Sequence, residues 1–293
     1  MKRYIGYILS LSILLLGAVG AILRSIELVR YIEPSTNLYH ASGLMAWALP
    51  LVSAAAIAVS VVVGKKTSRG QTGSFCEVFA THGQVPHLIL IGSAVLLIVA
   101  GIFKTISVVA SLFDAIAVLP YMGKVNVRTL LRLLSVAQLV YGILTIVAGI
   151  SMIGLASARR RCRETDTTRF LATIPIFWAC FLLILTFMEH PVEPVFHIFA
   201  YDLLGAAAIV LSVHYTSAFL FGKVRIFKNI VFSLLSLYFI MVTVGGRAIA
   251  FLTTHQFRFL MEVPFRMVAF VAMFGYILIN AMCVLAKTND IKE

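Results

Sequence analysis

Eight apolar stretches, each about 20 residues or longer, take up most of the chain, at 4–24, 41–63, 87–111, 130–156, 170–188, 195–221, 227–252 and 263–286. As α-helices rising 1.5 Å per residue, runs of this length match a hydrocarbon core of roughly 30 Å. The expected fold class is all-α: a polytopic membrane helix bundle with eight transmembrane helices. Composition agrees, since 61% of the 293 residues are apolar and 12% are charged, against about 25% charged in soluble domains.

The net charge of +12 would suggest nucleic acid in a soluble protein, but here the basic residues collect between the apolar runs. Lys2 and Arg3, Lys65 and Lys66, Arg159, Arg160, Arg161, Arg163 and Arg169, and Lys223, Arg225 and Lys228 all fall in alternate connections. The segment from Glu189 to Pro194, on the other side, has no Lys or Arg. Positive loops stay inside, so both termini are expected in the cytoplasm, with the protein multi-pass in the cell membrane and no nucleic-acid partner. A competing reading of the first run is a signal peptide cut near Ala18-Val19-Gly20. The apolar core is long for that, and Ile22 and Leu23 continue past the cut.

No connection is long enough for a soluble module, so the chain reads as one transmembrane domain, 1–293. Residues 64–86, rich in Gly, Ser and Thr, read as a flexible connector. No G-x-x-x-x-G-K-[ST] pattern occurs, so any ATP-driven role needs a separate membrane or ATPase subunit. The four cysteines, Cys76, Cys162, Cys180 and Cys283, lack C-x-x-C spacing and suggest neither a structural disulfide nor zinc. Glycines just before Arg24, Lys104 and Arg247, and after the starts of alternate helices, hint at parallel four-helix halves, 1–163 and 164–293.

The least ordinary residue is Asp202, seven positions past the start of the sixth run and so roughly 10 Å inside the hydrocarbon. A carboxylate there demands a partner or water. Arg24, Lys104 and Arg247 arrive at about the same level from other helices. The helices carrying Lys104 and Arg247 are expected to continue beyond those residues, with Lys104, Ser107 and Ser111 on one polar stripe. The first helix is expected to run on to Pro34, with Arg24, Glu27 and Tyr31 as a surface ladder. Tyr201, Tyr39, Tyr121 and Trp47 fit an interfacial aromatic belt.

His190, Glu193 and His197 suggest metal ligands by type, but Pro191 and Pro194 interrupt any helix through them. They are weak candidates, and no cofactor is expected. His214 reads as a packing residue. The candidate ligand-binding residues are therefore Asp202, Lys104, Arg247, Arg24, Glu189 and Tyr201, lining an outward-opening pocket. The favoured function is a transporter or permease-like subunit for a small polar or anionic solute, with the basic groups as anion contacts and Asp202 as counter-ion or proton carrier. The alternatives are an intramembrane metal-dependent hydrolase and a non-transporting membrane partner subunit.

Overall fold

The computed structural model describes residues 3–32, 44–68, 74–80, 83–118, 136–162, 164–188, 196–256 and 264–290. It is 93% helical and has no strands among the described residues. In chain order the helices are α1 (Arg3–Ile26), α2 (Leu44–Thr67), α3 (Phe75–Phe79), α4 (Gln84–Val118), α5 (Val136–Arg161), α6 (Asp166–Met188), α7 (Phe196–Ala218), α8 (Ile226–Ile240), α9 (Gly246–Thr254) and α10 (Pro264–Asp290). Among the described residues eight spans are long and apolar enough to cross a membrane; α8, a π-helical turn at Met241–Gly245 and α9 form one of them, a single rod with right-handed helical backbone throughout.

The outside of the bundle carries many large apolar side chains. Trp47, Phe103, Phe113, Phe170, Phe177 and Leu252 are all exposed, and a soluble surface rarely carries so much contiguous apolar area. Eight such helices are the build of a multi-pass integral membrane protein.

Without a hydrophobic drive between helices in lipid, small residues and polar contacts hold the bundle. Helices α4 and α5 show this most plainly. Ala94, Ile98, Gly101 and Thr105 recur at helical spacing on α4, opposite Gly142, Ile146 and Gly149 on α5. A Cβ on Gly101 would stand 2.9 Å from the Ile146 backbone nitrogen, and one on Gly149 would stand 2.8 Å from the Ala94 carbonyl. Only glycine permits that approach. Elsewhere hydroxyls bridge helices: Ser212 and Ser233 lie 3.0 Å apart, Asn229 donates to Thr216, and the Trp178 indole donates to Thr145 at 2.9 Å. Because α10 packs on α4 and α8, and α2 packs on α8, helices from both halves of the chain share one core.

Two local expectations are corrected, and a third, that the first helix runs on past Arg24, holds with a change of helix type. The 64–86 connector carries α3, opened by a capping box in which the Ser74 hydroxyl accepts from the Glu77 amide and the Glu77 carboxylate accepts from the Ser74 amide. It buries Phe75, Val78 and Phe79, which is why it holds a fixed place. Helix α1 does run past Arg24, but through a π-helical turn at Glu27–Tyr31. And the Arg24/Glu27 pair is buried, with side chains 3% and 11% exposed, because α7 and α9 cover it. Helices α4 and α9 continue past Lys104 and Arg247 as expected.

Candidate functional site

At the end of the bundle away from the arginine-rich loops, α7 presents Tyr201 and Asp202 side by side. One oxygen of Asp202, Oδ2, accepts from Arg247 Nη2 at 3.0 Å and from Arg266 Nη1 at 3.2 Å. All three side chains are buried, at 2%, 3% and 7% exposure. Arg247 comes two residues after the end of the Met241–Gly245 π-turn; the wider turn resets which face the next residues occupy, and such bulges recur at functional sites. Arg266 is the third residue of α10, whose first position is Pro264, where a missing N–H costs nothing. In a solvent of lipid and packed side chains, a carboxylate and a guanidinium are tolerated only together, and removing one partner costs far more than the pair contributes.

A second ion pair adjoins the first. Arg24 Nη1 lies 2.6 Å from Glu27 Oε2, and its guanidinium carbon lies 5.2 Å from the centre of the Tyr201 ring, in cation–π range. Gly246 makes room for this arginine: a Cβ there would meet Arg24 Cγ at 2.6 Å. Consecutive residues on α7, Tyr201 and Asp202, and on α9, Gly246 and Arg247, thus serve the two pairs. Motion of either helix would disturb both. A cavity of about 10 Å³, room for about one water, lies beside Glu27 and Tyr31.

Lys104 on α4 extends the cluster. Its ammonium donates to Gln138 Oε1 at 3.3 Å, sits 5.5 Å from the Phe265 ring centre and lies within electrostatic reach of Arg266. It contacts no carboxylate among the described residues, and its link to Asp202 runs through Arg266. The cluster therefore gathers Arg24, Glu27, Lys104, Asp202, Arg247 and Arg266 from five helices. Of the other candidates, Glu189, His190 and Glu193 lie outside the described residues, as does the side chain of His197 near the start of α7. Among the described residues no three His, Cys, Asp or Glu gather as a metal site.

Arg266, Glu27 as a buried partner, and the burial of Arg159 were not singled out from the sequence. Arg159, at the opposite end, is 2% exposed. Its Nη1 donates to Asn280 Oδ1 and its Nη2 to Tyr276 Oη at 3.0 Å, while the rings of Phe75, Phe79 and Tyr276 surround it at 5.4, 5.2 and 5.2 Å. Two of those rings belong to α3, so the short helix closes a cage over the arginine. Arg159 Nε and Asn280 Nδ2 are buried without hydrogen-bond partners among the described residues. The same corner holds Cys76 Nα against Glu164 Oε1 at 2.9 Å. Burial above all, then the neighbouring Cys162 and Glu164, pushes the Cys76 thiol from 9.0 up to about 12. His214 is not a packing residue: it is exposed and meets the Tyr215 ring edge-on at 5.1 Å.

No family model matches this chain, and no curated protein or solved structure resembles it significantly.

Proposed function

We propose that this integral membrane protein is a transporter or permease-like subunit of the cell membrane, its termini cytoplasmic, that recognises a small polar or anionic solute at the Asp202 end. The observation that carries the reading is the convergence of three guanidiniums, Arg24, Arg247 and Arg266, on Glu27 and Asp202, with Lys104 beside Arg266, the four cations coming from four helices. Packing alone does not need six ionisable groups in one apolar bundle, each costly at that depth. Asp202 serves as counter-ion, holding the two guanidiniums in a fixed arrangement. Lys104, whose contacts are a neutral amide and a ring, is the cation best placed to meet an incoming carboxylate or phosphate.

The test is thermal unfolding of the purified chain in lipid nanodiscs with acetate, succinate, glutamate and inorganic phosphate, and with glycerol as a neutral control. At least one anion raises the midpoint, and Lys104→Gln abolishes the rise while leaving the Asp202 contacts in place. Equal response to all five compounds, or an unchanged response in Lys104→Gln, overturns it.

A non-transporting partner subunit is the second reading, favoured by the near-complete burial of Asp202 between two guanidiniums. In that case Asp202→Asn shifts stability and leaves the activity of the assembly untouched. The hydrolase alternative rests on His190, Glu193, His197 and Asp202, the last of which is held by two guanidiniums; zinc content near zero in purified protein removes it.

A further inference from the structure

We propose that the groove between α6, the end of α7 and the turn at Phe219–Arg225 is a binding site for one anionic phospholipid. The cavity measures about 540 Å³ and is lined by Ile176, His214, Tyr215, Phe221, Lys223 and Arg225, among others. Its rim is basic and its floor is apolar. Lys223, Arg225 and His214 are exposed, and Lys228 adds a third cation beside them, 5.6 Å from the Tyr215 ring centre. Among the described residues no Asp or Glu lines the groove; the neighbouring Arg169 is already engaged, by Asp166 at 2.7 Å and by the Leu220 carbonyl at 3.1 Å.

The rim is built rather than incidental. A 3-10 turn over Phe219–Phe221 and Gly222 at φ 70° swing the chain back over the end of α7, with Phe219 wedged edge-on against Phe79 at 5.1 Å. Gly222 supplies the left-handed backbone that other residues resist. Tyr215 is stacked on Phe232, 5.5 Å away and inclined by 7°, so the platform beneath the lysines is fixed. Ile176 lies seven residues beyond Arg169 along α6, roughly 10 Å deeper. That gradient, cations above and hydrocarbon below, matches a phosphate headgroup over its acyl chain. A soluble anion would have no use for the floor. The arginine-rich end is also the one expected to face the anionic cytoplasmic leaflet.

The experiment is native mass spectrometry of the full chain in mild detergent with phosphatidylglycerol and phosphatidylcholine supplied in equal amounts. The wild type retains one phosphatidylglycerol in clear preference to phosphatidylcholine. Lys223→Ala/Arg225→Ala weakens phosphatidylglycerol about 25-fold, about fivefold for each surface charge removed, and Ile176→Trp, which fills the floor without touching charge, weakens it too. Lys65→Ala/Lys66→Ala, an exposed basic pair outside the groove, leaves retention unchanged. Equal retention of the two lipids overturns the proposal, as do an equal loss in the Lys65/Lys66 variant or displacement of the lipid by millimolar inorganic phosphate.

Discussion

The protein buries arginine at both ends of its bundle, and solves the problem in two ways. Around Asp202 the solution is opposite charge: two guanidiniums share one carboxylate oxygen. Around Arg159 it is polarisable neutral matter: an amide oxygen, a phenol hydroxyl and three ring faces. The first is fixed by a rod whose π-turn aims Arg247 into the bundle. The second is closed by a five-residue helix anchored through its capping box and aromatic side chains. A charged site punishes loss of either partner, whereas a neutral cage degrades one contact at a time.

That contrast can be broken by measurement. Asp202→Ala leaves two buried guanidiniums without their shared acceptor and should cost about 3–5 kcal/mol in reversible unfolding from bicelles. Arg159→Met keeps an apolar stem inside the ring cage and strands only the Asn280 and Tyr276 oxygens, a loss of about 1–3 kcal/mol. Equal costs for the two would erase the distinction. Gly246→Val drives its Cβ into Arg24, whose Cγ and Cβ stand 2.6 and 2.8 Å from that position. These atoms lie near the Arg24 backbone and cannot swing away, so overpacking of about 1–3 kcal/mol is expected, with the Arg24–Glu27 pair displaced.

The smallest effect belongs to the α3 lid. Ser74→Ala removes the cap and costs about 1 kcal/mol, seen locally as faster alkylation of Cys76 in a background lacking the other three cysteines. Because the thiolate is the nucleophile and burial, the largest cause, holds the thiol above its ordinary 9.0 even without Cys162, the rate in that background with Ser74 intact should keep climbing as pH rises past 9. The folded value lies above the ordinary one, so ionisation favours release: attachment of α3 is full below pH 9 and weakens progressively toward 12. A rate that levels off near pH 9 means Cys76 is not covered.

Sequence carried the eight spans because hydropathy over 20 residues is a strong, local signal. It also carried Asp202 and Arg247 as an oddity in need of partners. Arg266 was hidden by its place two residues after Pro264, where a charge looks like the membrane boundary. Arg159 was hidden among Arg160, Arg161 and Arg163, which read as a solvated loop, although Met152, Leu155, Ala156 and Arg159 recur on one helical face and all four are buried. The α3 cap was legible too, as Ser74-x-x-Glu77 before hydrophobic residues, but the Gly, Ser and Thr around it suggested a bare connector. The π-turns left no comparable mark, since no residue type demands the extra residue that Met241–Gly245 and Glu27–Tyr31 accommodate.

The most direct test is a double-mutant cycle on Asp202→Asn and Arg247→Gln, with unfolding free energies measured in the same bicelles. A buried carboxylate turned toward that guanidinium predicts a coupling energy above about 1 kcal/mol. Additive costs, with coupling near zero, would mean the two side chains do not meet and would contradict the account.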